Sequence, residues 1–242
     1  MHITAVGGNV SIIRISPELK PERSHSVNLS VNFNKQWNIR AIDVLIEGFY
    51  TSLNDVFMLV EDGRDDKNNL ILTRKNGSGA WVAGANVEFK LIPYKKMELQ
   101  LGFTYQQSRY LKPEQWSETL PAQTKMFRTP DTYGFLMFTY SPIKRLDIAL
   151  SGTYTGKMLV QHFAGYVDND CEKLTNPFFD LNAKISYGLL VKGNMLLEFS
   201  LGIKNIFNSY QKDFDKGELR DAGYIYGPSL PRSVYAGLKM SL

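Results

Sequence analysis

Residues 27–33 of this chain read Val-Asn-Leu-Ser-Val-Asn-Phe, with an apolar side chain at every second position. Successive side chains of a β-strand point to opposite faces, so this spacing predicts a strand with one apolar and one polar face. Residues 40–58 and 132–141 carry apolar side chains on both faces, and we interpret them as strands too. The clean alternation recurs at 81–91, 97–105, 146–154, 179–187, 197–204 and 234–242. The sequence therefore predicts an all-β chain of about nine strands.

The predicted connections alternate between short and long. The short ones lie at 35–37, 93–96, 142–144 and 191–194, and the long polar ones at 61–78, 111–130, 159–176 and 208–229. In an antiparallel sheet this order places every long loop at one end, which is typical of outer-membrane barrels with strands of about ten residues. A soluble sandwich can also alternate apolar and polar faces, but it has no reason to sort its loops by length.

The composition of the two faces also favours a barrel. The apolar faces are rich in Leu, Phe, Tyr and Trp, and aromatic residues such as Trp37 and Tyr187 lie near strand ends, where interfacial girdles form. The opposite faces must be solvated, because they carry Glu88, Glu98, Asp147, Lys184, Glu198 and Lys204. We therefore predict an antiparallel transmembrane β-barrel.

Overall composition argues against several other classes. Hydrophobic residues make up 43% of the 242 residues and charged residues 21%, which is unlike a disordered tail. No stretch approaches the ~18 consecutive apolar residues of a transmembrane helix. The net charge of +4 is scattered, so we expect no nucleic-acid partner. With Cys171 as its one cysteine, the chain can form neither an internal disulfide nor a clustered Cys/His metal site, and we expect no cofactor.

Two short motifs near the C-terminus occur in a characteristic order. Residues 205–208 read Asn-Ile-Phe-Asn, and after a long loop Pro231 and Arg232 open the final strand. They resemble the last two strands of TonB-dependent outer-membrane receptors, in which an Asn-Leu-Phe-Asp-like corner precedes a Pro-Arg pair. The matching residues of the corner are Asn205, Phe207 and Asn208.

A third motif lies near the start of the chain. Residues 16–22 read Ser-Pro-Glu-Leu-Lys-Pro-Glu. They resemble the Asn-Pro-x-Leu-Lys-Pro-Glu segment that leads into a later strand of the same receptors, with Ser16 in place of the usual Asn. The matching residues are Pro17, Leu19, Lys20, Pro21 and Glu22.

The resemblance covers nearly the whole chain. It implies the last nine strands of a plugged barrel of about 22 strands in the outer membrane. Residues 1–23 would be an extracellular loop segment, residues 24–242 the C-terminal barrel portion, and the plug domain would be absent. The ending would also resemble the signal read by the barrel-assembly machinery, formed by Gly237, Met240 and Leu242, with Leu242 where the family most often has Phe.

By the same resemblance, the intact receptor imports a scarce nutrient complex, such as siderophore-iron, haem or cobalamin. Its partners would be the remaining strands and plug, outer-membrane lipid, the barrel-assembly machinery, and TonB through the missing plug. Nine strands leave two open edges, so we do not expect this portion to work alone. The first residues, 1–6, lack the features of an export signal. We interpret Met1 as an internal start, from a truncated or interrupted receptor gene or an incomplete gene model.

Two other functional classes, a self-closed barrel and an enzyme, are the alternatives to a receptor. A small self-closed barrel with a structural or adhesive role would need an even number of strands. An enzyme is disfavoured, because neither His25 nor the other histidines, His2 and His162, lies centrally in a predicted strand, where a base could act. His162 is a conceivable haem ligand, although an exposed loop histidine is the favoured interpretation. Tyr224 and Tyr226 are predicted to pack their loop rather than to contact a ligand.

Overall fold

The computed structural model describes residues 2–6, 9–67, 69–191 and 195–241. The chain is all-β, as predicted, and no helix in these ranges is long and apolar enough to cross a membrane. The strands of the described residues are β1 (His2–Val6), β2 (Asn9–Ile15), β3 (Arg23–Trp37), β4 (Arg40–Asn54), β5 (Phe57–Arg64), β6 (Leu70–Asn76), β7 (Ala80–Tyr94), β8 (Met97–Glu114), β9 (Gln123–Lys125), β10 (Thr132–Tyr140), β11 (Leu146–Thr155), β12 (Leu159–His162), β13 (Cys171–Leu174), β14 (Phe178–Leu190), β15 (Leu196–Lys204) and β16 (Ser233–Ser241).

One large sheet contains all nine predicted strands. Its continuous path is β3-β4-β7-β8-β10-β11-β14-β15-β16, and the short strand β9 pairs with β8 beside it. Every neighbouring pair along the path is antiparallel. Within the described ranges, β3 and β16 each have a single neighbour, so the sheet is not closed. The predicted partial antiparallel barrel is therefore confirmed.

The apolar face of this sheet is its exposed face. Side chains that are paired across an antiparallel ladder point the same way, so Val31, Ile46, Val87 and Phe103 form one row across four strands. Their exposed fractions are 66%, 52%, 44% and 50%. Such rows suit a surface in contact with lipid and would be costly in water. Other exposed apolar residues of this face are Val27, Leu29, Phe33, Leu101, Ile185, Tyr187, Phe199, Leu201, Val234, Leu238 and Met240.

The opposite face is polar and carries paired charges. Lys90 Nζ lies 2.9 Å from Glu98 Oε1, and Lys184 Nζ lies 3.5 Å from Glu198 Oε1. Glu98, Lys184 and Glu198 are three of the six inward charges that the alternation predicted, and the four side chains are between one third and one half exposed. Exposed ion pairs of this kind contribute little to stability. They mark this face as the solvated one.

Strand β10 places a large aromatic residue on the polar face, which explains why its pattern is apolar on both sides. Phe135 pairs with Gly102 of β8, and a Cβ at Gly102 would lie 2.2 Å from the Phe135 ring. The same arrangement occurs between Tyr235 of β16 and Gly202 of β15, where the distance would be 2.3 Å. In both pairs the absence of a glycine side chain makes room for the ring on the neighbouring strand.

Several predicted boundaries were wrong. Residues 35–37 form the end of β3 rather than a turn, and the chain reverses after Asn38, whose φ is 55°. Residues 93–94 likewise belong to β7. Three of the long polar connections contain strands of their own. The connection at 61–78 contains the end of β5 and all of β6, the one at 111–130 contains β9, and the one at 159–176 contains the β12-β13 hairpin. The predicted turn at 191–194 lies mostly outside the described residues.

A second sheet joins the start of the chain to the first long connection. Its order is β1-β2-β6-β5, and β2 pairs with β6 in parallel. The division predicted at residue 23 stays a prediction, but the leading segment contains two strands, and β3 begins at Arg23. The motif residue Lys20 is hydrogen-bonded to the end of β6. The Lys20 N–H donates to Asn76 Oδ1 at 2.7 Å, and Asn76 Nδ2 donates to the Lys20 carbonyl at 2.9 Å.

Neighbouring residues in the middle of β11 test the assignment of the two faces. Leu150 points to the apolar face and Ser151 to the polar face. We expect Leu150→Lys to lower the free energy of unfolding from lipid by about 2–4 kcal/mol, the cost of a lysine at the bilayer midplane. Ser151→Lys should change it by less than about 1 kcal/mol, because that face is solvated. Urea unfolding in lipid vesicles measures both, and equal losses would contradict the assignment.

Candidate functional site

Three of the long connections pack into one body at their end of the large sheet. They are residues 115–131, 156–177 and 205–232, and we call this body the loop cluster. Its apolar centre consists of Met158, Val160 and Tyr224, which are 7%, 0% and 3% exposed, with Tyr226 packed against them. Tyr224 and Tyr226 therefore pack their loop, as predicted.

His162 is buried in the loop cluster. Its Nε2 lies 2.8 Å from Asp215 Oδ2, and the two side chains are 7% and 2% exposed. Its ring stacks on Tyr224 with 3.6 Å between centroids and 7° between planes. The expectation of an exposed loop histidine is wrong, because Val160 and His162 share the buried face of the short strand β12. With Nε2 held by Asp215, the arrangement does not favour haem ligation.

Asp213 connects two loops through its carboxylate. It accepts hydrogen bonds from Lys173 Nζ, from Tyr224 O–H at 2.9 Å and from Tyr226 O–H at 2.7 Å. Burial alone would raise the pKa of Asp213, but these three hydrogen bonds lower it to about 2. Burial and the hydrogen bond to Asp213 raise the pKa of both tyrosines. The network is therefore a charged carboxylate with two neutral phenols at neutral pH.

The loop at 115–131 contacts the other two loops through a buried tryptophan and an arginine. Trp116 is 2% exposed and donates from Nε1 to Glu172 Oε1 at 2.8 Å, and its ring meets Phe163 edge-on. Arg128 donates to the carbonyls of Gly223 and Ile225. Since these contacts link all three loops to one another, the loops are held as one body.

A pocket of about 350 Å³ opens beside the Asp213 network. This volume falls in the range of about 300–1,000 Å³ that is usual for ligand pockets. Two lysines border it, Lys173 and Lys212, and Lys212 Nζ lies 5.5 Å from the centroid of the Tyr210 ring. Asn176, Phe178 and Asn208 also line it. The pocket offers cationic and amide donors beside aromatic faces, which suits a small polar ligand with acceptor groups.

The structure brings the two C-terminal motifs into contact. Asn205 is 3% exposed and donates from Nδ2 to the Leu230 carbonyl at 3.0 Å, and Asn208 Oδ1 accepts the N–H of Arg232 at 2.9 Å. Phe207, also of the corner, stacks on Phe179 of β14. Pro231 lies between Leu230 and Arg232, two residues before β16 begins.

The remaining sequence-derived residues lie elsewhere. The motif at 17–22 precedes β3, at the opposite edge of the open sheet from β16. In β16, Gly237 pairs with Ser200, and Met240 lies on the exposed apolar face. Leu242 lies outside the described residues, and the assembly signal stays a prediction.

An open antiparallel sheet with an exposed apolar face, a polar opposite face and long loops gathered at one end is the architecture of an outer-membrane β-barrel. The model of the outer membrane protein beta-barrel family matches residues 13–226, and the chain belongs to that family. The predicted location in the outer membrane is thus confirmed. No curated protein matches the sequence.

Solved structures of larger receptors share the fold. The ferric-catecholate import receptor Fiu of E. coli K12 is 16% identical with a TM-score of 0.62, over 91% of this chain and 28% of its own. The FrpB iron transporter of Neisseria meningitidis is 16% identical, with a TM-score of 0.56, over 94% and 32%. The copper transporter OprC is 11% identical, with a TM-score of 0.60, over 91% and 31%. The chain spans about a third of their length and has the fold of part of a TonB-dependent receptor barrel.

An acid titration tests the Asp213 network. Because the folded cluster lowers the pKa of Asp213 from 3.8 to about 2, the carboxylate stabilises the folded loops above this range. This stabilisation is lost as the pH falls from 3.8 to about 2. We expect the near-ultraviolet circular dichroism of the clustered aromatic residues to fade over that interval. Asp213→Asn should give a weaker signal at neutral pH and no transition there.

Asp168→Asn is the matched control for this titration. Asp168 is exposed on the same loop as Lys173, and no hydrogen bond to its side chain occurs in the part of the chain that the structure describes. This variant should follow the parent protein at every pH. The same acid transition in the parent and in Asp213→Asn would show that another group controls it.

Proposed function

We propose that this chain is the C-terminal barrel portion of a TonB-dependent receptor that takes up a scarce nutrient complex, such as siderophore-iron, haem or cobalamin. The observation that carries the proposal is the nine-stranded sheet, whose two edge strands have no further partner among the described residues, in a member of a family of outer-membrane barrels. Supporting it, the solved structures of the same fold are described as iron and copper transporters and siderophore receptors.

Strand direction supports the incomplete barrel. Strand β3 runs from the long-loop end towards the turn at residues 38–39, and β16 also starts from a long loop, so the two edge strands run in the same direction. They cannot pair with each other in antiparallel fashion. An all-antiparallel barrel therefore needs an odd number of further strands, and about thirteen would complete the 22 of the plugged transporters.

The same reasoning disfavours the small self-closed barrel. That alternative requires β3 and β16 to pair, and no such pairing occurs within the described residues. We also propose that the chain is not an enzyme. The His162–Asp215 pair is buried in the loop cluster, with side chains 7% and 2% exposed, so it is shielded from a substrate.

The partners of the chain follow from these features. The open edges require the remaining strands, the exposed apolar face requires outer-membrane lipid, and the barrel-assembly machinery would insert the chain. TonB would act through the plug, which the rest of the receptor would supply. The loop cluster and its pocket would contribute part of the ligand contact on the extracellular side.

Expression of the chain alone tests its competence. We expect no ligand-dependent growth of a receptor-deficient strain supplied with ferric enterobactin, haem or cobalamin as the limiting nutrient. The physical reason is that unpaired edge groups cannot be satisfied by lipid. An intact receptor for each nutrient is the positive control, and growth rescue by the chain alone would contradict the proposal.

A hybrid receptor tests the complementary part. The plug and about the first thirteen strands of Fiu are joined to residues 24–242 of this chain. Antiparallel closure at both edges should give a heat-modifiable, trypsin-resistant outer-membrane protein. The matched control joins the same Fiu part to residues 80–242, which removes β3 to β6. Two of these strands, β3 and β4, belong to the large sheet, so the total number of barrel strands stays even while the barrel is two strands too small. If closure fails for the full hybrid and for its control alike, the fragment assignment is overturned.

A further inference from the structure

The register of the last strand is not fixed by its apolar pattern. In β16 the apolar residues Val234, Ala236, Leu238 and Met240 repeat every two residues, and Tyr235, Gly237 and Lys239 lie between them. A slip of one residue would expose the wrong face, but a slip of two would leave both faces unchanged. The connection of 28 residues from 205 to 232 is also too long to set the register by itself. Another feature must do so.

The contact between the two C-terminal motifs lies where the register has to be set. We call Asn205, Asn208, Leu230 and Arg232 the corner clasp. Asn205 Nδ2 donates to the Leu230 carbonyl, Asn208 Oδ1 accepts the Arg232 N–H, and Arg232 Nη1 lies 3.4 Å from the Ile206 carbonyl. Residue Ser233, next along the chain, pairs with Lys204 as the first rung of the β15-β16 ladder.

The corner itself is held in a fixed conformation. Asn205 and Asn208 have φ values of 50° and 53°, in the left-handed region that asparagine tolerates better than most residues. Asn205 Oδ1 accepts the Ser209 N–H at 2.8 Å, and Asn182 Oδ1 of β14 accepts the Asn205 N–H at 3.0 Å. The clasp therefore ties the start of β16 to a corner that is already anchored on β14 and β15.

A second contact discriminates between registers two residues apart. Tyr235 lies against Gly202, and Lys204 Nζ lies 5.6 Å from the centroid of the Tyr235 ring. After a slip of two residues, the Tyr235 ring would lie opposite Ser200 or Lys204. A side chain at either position would fill the space that is open at Gly202. The glycine thus accepts the ring in one register only.

We propose that the corner clasp and the Tyr235–Gly202 contact together select the register of the last strand. Asn205 and Asn208 are positioning residues in this role, and so is Gly202. The register decides which backbone groups on the free edge of β16 face the strand that closes the barrel. The motif shared with the receptors is then a device for barrel closure rather than a ligand contact, and this role does not depend on which nutrient is carried.

Disulfide cross-linking tests the register directly. In a Cys171→Ser background, Phe199→Cys is combined with Leu238→Cys, its native partner, or with Ala236→Cys or Met240→Cys, the partners after a slip of two. Directly opposite Cα atoms are about 4.5–5.5 Å apart and diagonal ones about 7–8 Å, so only the directly opposite pair oxidises efficiently. The cysteine pairs are placed in the Fiu hybrid described above, in which both edges of the large sheet have partner strands, and free thiols are counted after oxidation by a maleimide mass shift.

Two aspartate variants form the matched comparison. Asn205→Asp loses the donor to the Leu230 carbonyl, whereas Asn208→Asp keeps an acceptor for the Arg232 N–H, and aspartate tolerates the left-handed backbone at both sites. We expect the ratio of native to slipped cross-links to fall about tenfold in Asn205→Asp, as the loss of one or two hydrogen bonds implies. Asn208→Asp should keep the parent ratio. Gly202→Ala should lower the ratio as well.

The outcome is decisive in each case. An unchanged ratio in both Asn205→Asp and Gly202→Ala overturns the proposal. A reference pair on other strands, Val87→Cys with Phe103→Cys, reports whether each variant folds. If Asn205→Asp loses the reference cross-link too, the ratio in Gly202→Ala decides alone. Since uptake is not measured, failure here leaves the receptor assignment untouched.

Discussion

Lipid offers no hydrogen-bond partner to a backbone amide or carbonyl, and the architecture of this chain follows from that constraint. Each strand in the membrane must pair on both sides, so the strands form one continuous antiparallel path, and apolar side chains cover the outward face. Under the same constraint, the two edge strands, β3 and β16, each need a partner strand from outside this sheet. Because β3 and β16 run in the same direction, the number of further strands that can close an antiparallel barrel is odd.

The membrane-spanning part of the fold was predictable because its signal is local. Alternation with a period of two residues located seven of the nine strands, and the two segments with apolar residues on both faces, β4 and β10, were also predicted as strands. The position of Phe135 was not predictable, since the space it fills is created by Gly102 on another strand. The register of β16 was not predictable either, because side chains repeating every two residues fit more than one register.

The loop cluster was largely beyond prediction for a different reason. Its contacts join residues far apart in sequence, such as Lys173 with Asp213 and Trp116 with Glu172, and no local pattern announces them. The buried residues Val160 and His162 are two positions apart in a four-residue strand, but so short a strand cannot be distinguished from a loop by its sequence. The packing role of Tyr224 and Tyr226 could be predicted, but their shared partner Asp213 could not.

The ring of Tyr235 against Gly202 also restricts the order in which these two positions can change. A side chain at Gly202 would collide with the ring, so the tyrosine has to be lost first, and a ring cannot return while any larger residue occupies position 202. The intermediate with neither the ring nor a side chain at position 202 would have a gap in the wall beside the last ladder. Position 202 can therefore gain a side chain only after the ring at position 235 has been lost, and related chains with a larger residue at 202 should have no aromatic ring at 235.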